Sequence, residues 1–297
     1  MHLLFATIAL RPYVFVFLAA FLGISTINFG LRTTLLFALL TYGVAWVCET
    51  SSVHNGFPFG LYHYLPTTRG REIWVGDVPF FDSLSFTFLG FASYTVALLL
   101  AAPVLGERGD LRLLETRAIR RSWRVTLLAA LLMVMVDWVV DPLSVRGERW
   151  FLGKIFWYDP PGPHFGVPIA NYLGWFFVAL ITIRIFQWLD FYLGRTTGKP
   201  SGIIPTLFWR ALLGPFLYVG IVGFGITMLF RIGAAEIAWA AVFIYLPALV
   251  LAVHFLTRAD LRASAAEVRR HFEDFPYDAP LDPLADGPSG RIGRPDV

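Results

Sequence analysis

The chain has 297 residues, 57% of them hydrophobic and only 15% charged, whereas a soluble domain is nearer half apolar and a quarter charged. Its formal net charge of +3 is small and spread along the sequence, which points to membrane orientation and away from nucleic-acid binding. The single cysteine, Cys48, excludes an internal disulfide and any Cys-rich metal site.

Apolar runs of about 20 residues recur along most of the length, the pattern of membrane-spanning helices. Seven spans are predicted: Tyr13–Phe29, Thr34–Thr50, Val78–Leu105, Trp123–Asp141, Val167–Leu193, Ile204–Phe230 and Ile232–Thr257. The N-terminus has no charged n-region and no small-residue cleavage site, so it reads as part of the first span, with Pro12 marking a kink. A tight turn around Arg231 and Gly233 joins the last two spans. The predicted fold is therefore all-α: a polytopic membrane bundle over residues 1–257, with long motif-bearing loops on one face. Residues 258–297 form a tail. Leu261, Ala265, Val268 and Phe272 recur there at helical spacing, which predicts a short amphipathic helix, and the Pro-, Gly- and Asp-rich stretch after Pro276 reads as disordered. No internal repeat is visible.

Arginine and lysine set the orientation. Arg108, Arg112, Arg117, Arg120, Arg121 and Arg124 form the strongest cluster, which places that loop in the cytoplasm. Arg32, Arg195, Lys199 and the tail's Arg258, Arg262, Arg269 and Arg270 then lie on the same side. Arg11, Arg69, Arg71, Arg146, Arg149, Lys154 and Arg231 lie opposite. The N-terminus is thus expected outside and the C-terminus inside. Alternation brings the loops Ser51–Asp77 and Pro142–Gly166 to one face, and with them Glu49, Asp82, Asp137, Asp141 and Asn171.

An ionised side chain in hydrocarbon costs at least about 2.5–3.5 kcal/mol, so carboxylates inside or at the ends of apolar spans face a cavity or a partner. The first constellation runs from Glu49 through His54, Asn55, Gly56, Pro58, Gly60, Tyr62, His63 and Tyr64. Its glycines and proline break a helix at membrane depth, where irregular backbone is tolerated only in protein or around a cavity. An interfacial loop with an ordinary aromatic belt accounts for the same residues. The second is Asp137-Trp138-Val-Val-Asp141-Pro142. Its acids are four apart on one helical face, and two carboxylates so placed tend not to ionise together, which sets a proton donor beside an acceptor. Hydrogen bonding of Asp137 to a neighbouring helix and capping by Asp141 is the structural alternative. The third runs from Trp157 to Trp175, with a proline-stiffened loop leading into Asn171 and Trp175 on one helical face. Asp82 opens the third span beside Ser83 and Ser85. Glu49, Asp82, Asp137 and Asp141 are the candidate catalytic groups. His54, Tyr62, Tyr64, Trp138, Asn171 and Trp175 are the candidate substrate-binding groups. His54, His63 and His164 show no compact ligand spacing, so no metal site is expected.

Three of these motifs, in this order, resemble the integral-membrane carotenoid hydratases: the Gly-x-Pro-Phe-Gly-x-Tyr-x-Tyr core ending at Tyr64, the Asp137/Asp141-Pro142 helix end, and Phe165-Gly-Val-Pro168 followed by Asn171-Tyr-Leu-Gly-Trp175. These are the bacterial γ-carotene/lycopene 1,2-hydratases and the archaeal bisanhydrobacterioruberin hydratases. The resemblance covers about residues 35–255. It implies a C40 or C50 polyene substrate with an open ψ-end, taken from the bilayer of a bacterial cytoplasmic membrane, with other carotenoid-pathway enzymes as candidate partners. It implies protonation at C2, a tertiary cation at C1 and capture of water. This needs a carboxylic acid, aromatic faces for the cation, a base and no cofactor, and there is no Gly-rich nucleotide loop.

Other readings share parts of this pattern. A lycopene-cyclase-like enzyme would use the same proton-initiated chemistry. A Mg-dependent polyprenyl transferase needs two acidic clusters and nearby cations, and Asp137-x-x-x-Asp141 resembles only half of such a motif. A retinal protein needs a lysine within a helix, whereas Lys154 and Lys199 are the only lysines and both fall in predicted loops. A transporter more often shows an internal repeat.

Overall fold

The computed structural model describes residues 2–107, 110–197, 207, 209–257, 263–276 and 278. In chain order the helices are α1 (His2–Leu10), α2 (Pro12–Phe29), α3 (Leu31–Asn55), α4 (Phe80–Ala101), α5 (Arg117–Arg120), α6 (Trp123–Ser144), α7 (Ile169–Thr197), α8 (Leu213–Arg231), α9 (Ala235–Thr257) and α10 (Ala265–Asp274). Six short strands intervene: β1 (Tyr62–Tyr64), β2 (Trp74–Val75), β3 (Val78–Pro79), β4 (Val104–Glu107), β5 (Asp110–Leu113) and β6 (Phe156–Tyr158). Among the described residues seven helices are long and apolar enough to cross a membrane. The fold is an all-α polytopic bundle, as the apolar runs predict.

Several boundaries differ from the sequence reading. The third span stops at Ala101, because Pro103 cannot continue a helix and Ala102 before it is extended. The apolar residues beyond it form the β4–β5 hairpin. Of the predicted sixth span, the described helical part begins at Arg210, where a 3₁₀ turn leads into α8. At Pro12 the chain breaks rather than kinks: Arg11 leaves the helical region and separates α1 from α2. The predicted positions Arg108, Lys199, Arg258, Leu261 and Arg262, and the segment 279–297, lie outside the described residues.

α4 is the central helix and packs against α2, α3, α6 and α8. Lipid tails are as apolar as leucine, so tight packing and buried polar contacts hold such helices together. Aromatic rings supply much of the packing: Phe21 meets Phe91 with ring centroids 5.1 Å apart, and Phe37 meets Phe186 at 4.8 Å. Small residues allow close approach. A Cβ on Gly214 of α8 would stand 2.3 Å from the Thr95 hydroxyl of α4.

Two irregular connections, 56–79 and 145–168, share one end of the bundle. β1 and β6 pair antiparallel across them, with Tyr62 opposite Tyr158 and Tyr64 opposite Phe156. Gly56 ends α3 in the left-handed conformation, φ +81°, and turns the chain back at once. A buried ion pair fastens the same end: Arg11 donates through Nε and Nη2 to Glu72, both at 2.9 Å, and through Nη1 to the Leu152 carbonyl. Its guanidinium also lies 4.4 Å from the centre of the Phe81 ring. One side chain therefore joins the α1–α2 corner, both connections and the start of α4.

The opposite end carries its own polar cluster. Arg120 pairs with Glu115 at 2.6 Å and lies between the rings of Phe29 and Phe275. α10 begins with a Ser264–Glu267 capping box and buries Val268 against Leu114.

Candidate active site

Alternating helix direction brings the end of α3, the start of α4, the end of α6 and the start of α7 together. Glu49 is buried in the C-terminal part of α3, and its Oε2 accepts a hydrogen bond from the Ser83 hydroxyl. Asp82 is the third residue of α4, and its Oδ2 accepts from the Tyr64 hydroxyl at 2.5 Å. Asp141, in the last turn of α6, accepts at Oδ2 from the Tyr158 hydroxyl (2.7 Å) and from Asn171 Nδ2 (2.7 Å). Asn171, in the first turn of α7, also donates to Asp137 Oδ2 at 2.6 Å. Asp137 is fully buried, and its Oδ1 has no hydrogen-bond partner.

A single pocket of about 300 Å³, its open mouth included, is lined by Glu49, Asp82 and Asp141. Its other walls are Phe59, Tyr62, Tyr64, Phe86, Phe156, Tyr158, Asn171 and Trp175. Trp175 stacks on Phe86 with centroids 4.3 Å apart and planes 18° apart. Phe59 reaches this pair because Gly174 has no side chain: a Cβ there would stand 2.5 Å from the Phe59 ring and 2.8 Å from the Pro58 carbonyl. Burial first, and then the neighbouring carboxylates, raise the phenol pKa values of Tyr62, Tyr64 and Tyr158 well above the ordinary value. These phenols therefore stay neutral and act as hydroxyl donors.

The structure gathers seven of the ten sequence candidates in one pocket and leaves three outside its lining. Glu49, Asp82, Asp141, Tyr62, Tyr64, Asn171 and Trp175 line the pocket. Asp137 is outside the pocket lining and shares the Asn171 amide with Asp141, which is in it. Trp138 follows Asp137 by one residue, about 100° around the helix. It lies against His164 and Tyr172 and is 39% exposed. His54, on the last turn of α3, is exposed and lies beside the Thr50 carbonyl and Asp77. His63 points to the opposite face of β1 from Tyr62, against Trp157. His164 bonds Tyr172 through Nδ1. Among the described residues no three His, Cys, Asp or Glu side chains group as a metal site.

Sequence reasoning passed over Tyr158, which belongs to the Asp141 hydrogen-bond set. Its signal was the alternation Phe156-Trp157-Tyr158, which mirrors Tyr62-His63-Tyr64. It also passed over the Arg11–Glu72 pair, whose members are 61 residues apart.

In chemical terms, the pocket can donate a proton from a carboxyl group, place π-faces beside a developing cation and return a proton to a second carboxylate. A family model described as carotenoid biosynthesis protein matches residues 1–247. The bisanhydrobacterioruberin hydratase of Haloarcula japonica is 32% identical over 150 residues, which make up 50% of this chain and 42% of that protein. The match thus spans less than half of that relative's length. No solved structure matches the chain.

Proposed function

The chain belongs to the carotenoid biosynthesis protein family, and on that premise we propose that it hydrates the terminal C1=C2 bond of an acyclic (ψ) carotenoid end group. The observation that carries this reading is the convergence of Glu49, Asp82 and Asp141 on one aromatic pocket at the end of a membrane bundle. Similarity to a hydratase of bisanhydrobacterioruberin supports hydration as the reaction.

The polyene partitions into the bilayer and inserts one end group between the Trp175–Phe86 stack and the row of phenols. A pocket carboxylic acid gives its proton to C2. The tertiary cation left at C1 lies against π-faces, each contributing on the order of 0.5–2 kcal/mol. Water adds to C1, and a second pocket carboxylate takes the proton that the water releases. The product is a tertiary 1-hydroxy carotenoid. No electrons change hands, so the reaction requires no redox cofactor. Asp137 and Asn171 act as positioning residues: the amide holds Asp141 in register with the pocket.

The same proposal takes residues 1–257 as the catalytic domain and 258–297 as a cytoplasmic tail, with the pocket on the non-cytoplasmic side. Other carotenoid-pathway enzymes are its expected neighbours. Expression in a lycopene-producing host, with pigment masses measured, tests the reading. A gain of one water is the expected result. An unchanged mass with altered retention would replace hydration by cyclisation, and a gain of a five-carbon unit would replace it by prenyl transfer.

A further inference from the structure

Three carboxyl groups line the pocket, and they are unequally furnished with hydrogen-bond donors. Asp141 receives two: the Tyr158 hydroxyl at 2.7 Å and the Asn171 amide nitrogen, which can only donate, at 2.7 Å. Asp82 receives the Tyr64 hydroxyl at 2.5 Å. Glu49 is 3% exposed, and among the described residues its partner is the Ser83 hydroxyl. A serine hydroxyl is a weaker donor than a phenol, and it accepts as readily as it donates. Hydrogen bonds donated to a carboxylate favour its ionised form, and carboxyl groups that share a site do not all ionise together. The donor sets thus suit Asp141 and Asp82 to be carboxylates and Glu49 to be the carboxylic acid. The helices put the extremes of this series on opposite walls. α4 and α7 each pack against both α3 and α6, so α3, which carries Glu49, faces α6, which carries Asp141, across the pocket.

We propose that Glu49 is the acid that protonates C2 and that Asp141 is the base that takes the proton of the incoming water. Ser83 positions the first, and Tyr158 and Asn171 position the second. The proposal rests on the hydration reading and deepens it. The O–H bond of Glu49 breaks as the π-electrons of C1=C2 form the new C2–H bond, which leaves the cation at C1. A lone pair of water forms the C1–O bond. Asp141 then takes a proton from that water, and the O–H electrons stay on oxygen. Glu49 has lost one proton and Asp141 has gained one. A further water molecule, donor and acceptor at once, carries a proton back to Glu49 before the next turnover.

Glu49→Gln and Asp141→Asn in the full-length protein in detergent, supplied with lycopene in D₂O, separate the two roles. Both are near-isosteric, and each is assayed once it elutes as the native protein does. Asp141→Asn should hydrate at least about a hundredfold more slowly, the scale of acid–base groups. Its Glu49 still delivers a proton to C2 and takes one back, so the unreacted lycopene should gain deuterium at C2. Glu49→Gln should neither hydrate nor exchange, and its lycopene should keep its mass. Deuterium in lycopene recovered from Glu49→Gln, or none in lycopene recovered from Asp141→Asn, would overturn the assignment. Infrared difference spectra check it without turnover. Native minus Glu49→Gln should show the carbonyl stretch of a protonated carboxyl group, and native minus Asp141→Asn the stretches of a carboxylate. A carboxylate signal in the Glu49 difference would overturn the assignment whatever the kinetics show. Absence of hydrated product from the native protein would instead remove the hydration reading, a result read without any variant.

Discussion

Replacing Asn171 by leucine, a near-isostere, removes the amide shared by Asp137 and Asp141. Its bonds to them measure 2.6 and 2.7 Å. Hydrogen bonds to charged groups contribute about 1.5–3 kcal/mol each, so the two set a ceiling of about 3–6 kcal/mol. The loss is unequal. Asp141 keeps the Tyr158 hydroxyl at 2.7 Å. Asp137 keeps no amide or hydroxyl donor, since its Oδ1 already lacks a partner and the residue is fully buried. An orphaned buried polar group costs about 1–3 kcal/mol. The expected destabilisation of Asn171→Leu is therefore about 2–4 kcal/mol, with most of it at Asp137. Adding Asp137→Leu removes the orphan, so the double variant should be more stable than the sum of the singles by at least about 1 kcal/mol. Unfolding of the purified protein in detergent measures the stability term, and conversion of a ψ-end carotenoid measures activity. Turnover should fall at least about a hundredfold, the scale of acid–base groups. Stability within about 0.5 kcal/mol of native together with near-native conversion, or strict additivity in the cycle, would refute the shared-amide reasoning.

Asp137→Asn and Asp141→Asn should each lower turnover at least about a hundredfold while protein in the membrane stays at native level; near-normal conversion by both would make the pair structural. Arg11→Met leaves Glu72 buried without its partner and should cost about 3–5 kcal/mol, most of it recovered when Glu72→Leu is added. A double variant as unstable as the sum would show that the pair does not act as a unit. In a Cys48→Ser background, Thr67→Cys and Asp159→Cys should react with an impermeant thiol reagent from one side of the membrane and Arg124→Cys from the other. Labelling of the first two from opposite sides would contradict the strand pairing that joins their loops.

The seven helices were legible because each is a long apolar run, and a run of that length has few other uses. The meeting of Glu49, Asp82, Asp141 and Asn171 followed from alternation of antiparallel helices, which needs no knowledge of packing. Helical phase argued against Trp138 as a substrate-binding candidate: one residue after Asp137, it faces elsewhere, against His164 and Tyr172. The β1–β6 pairing was hidden because three-residue strands are too short to show a period. With it went Tyr158, whose link to Asp141 exists only once the two connections are paired. Val104 and Leu105 read as the end of the third span, but after Pro103 they pair with Leu113 and Arg112 in a hairpin. Arg11 looked like a loop cation, and nothing local marks it as the partner of Glu72.

The central claim is that water supplies the new oxygen through acid–base chemistry alone. The most direct measurement is the conversion of lycopene by the purified protein in ¹⁸O-labelled water, after EDTA treatment and with no added metal, nucleotide or flavin. A tertiary alcohol carrying one ¹⁸O per hydrated end is the predicted product. Oxygen drawn from O₂, or activity lost on chelation and restored by a divalent ion, would contradict the account and turn the acids of this pocket into ligands of a metal.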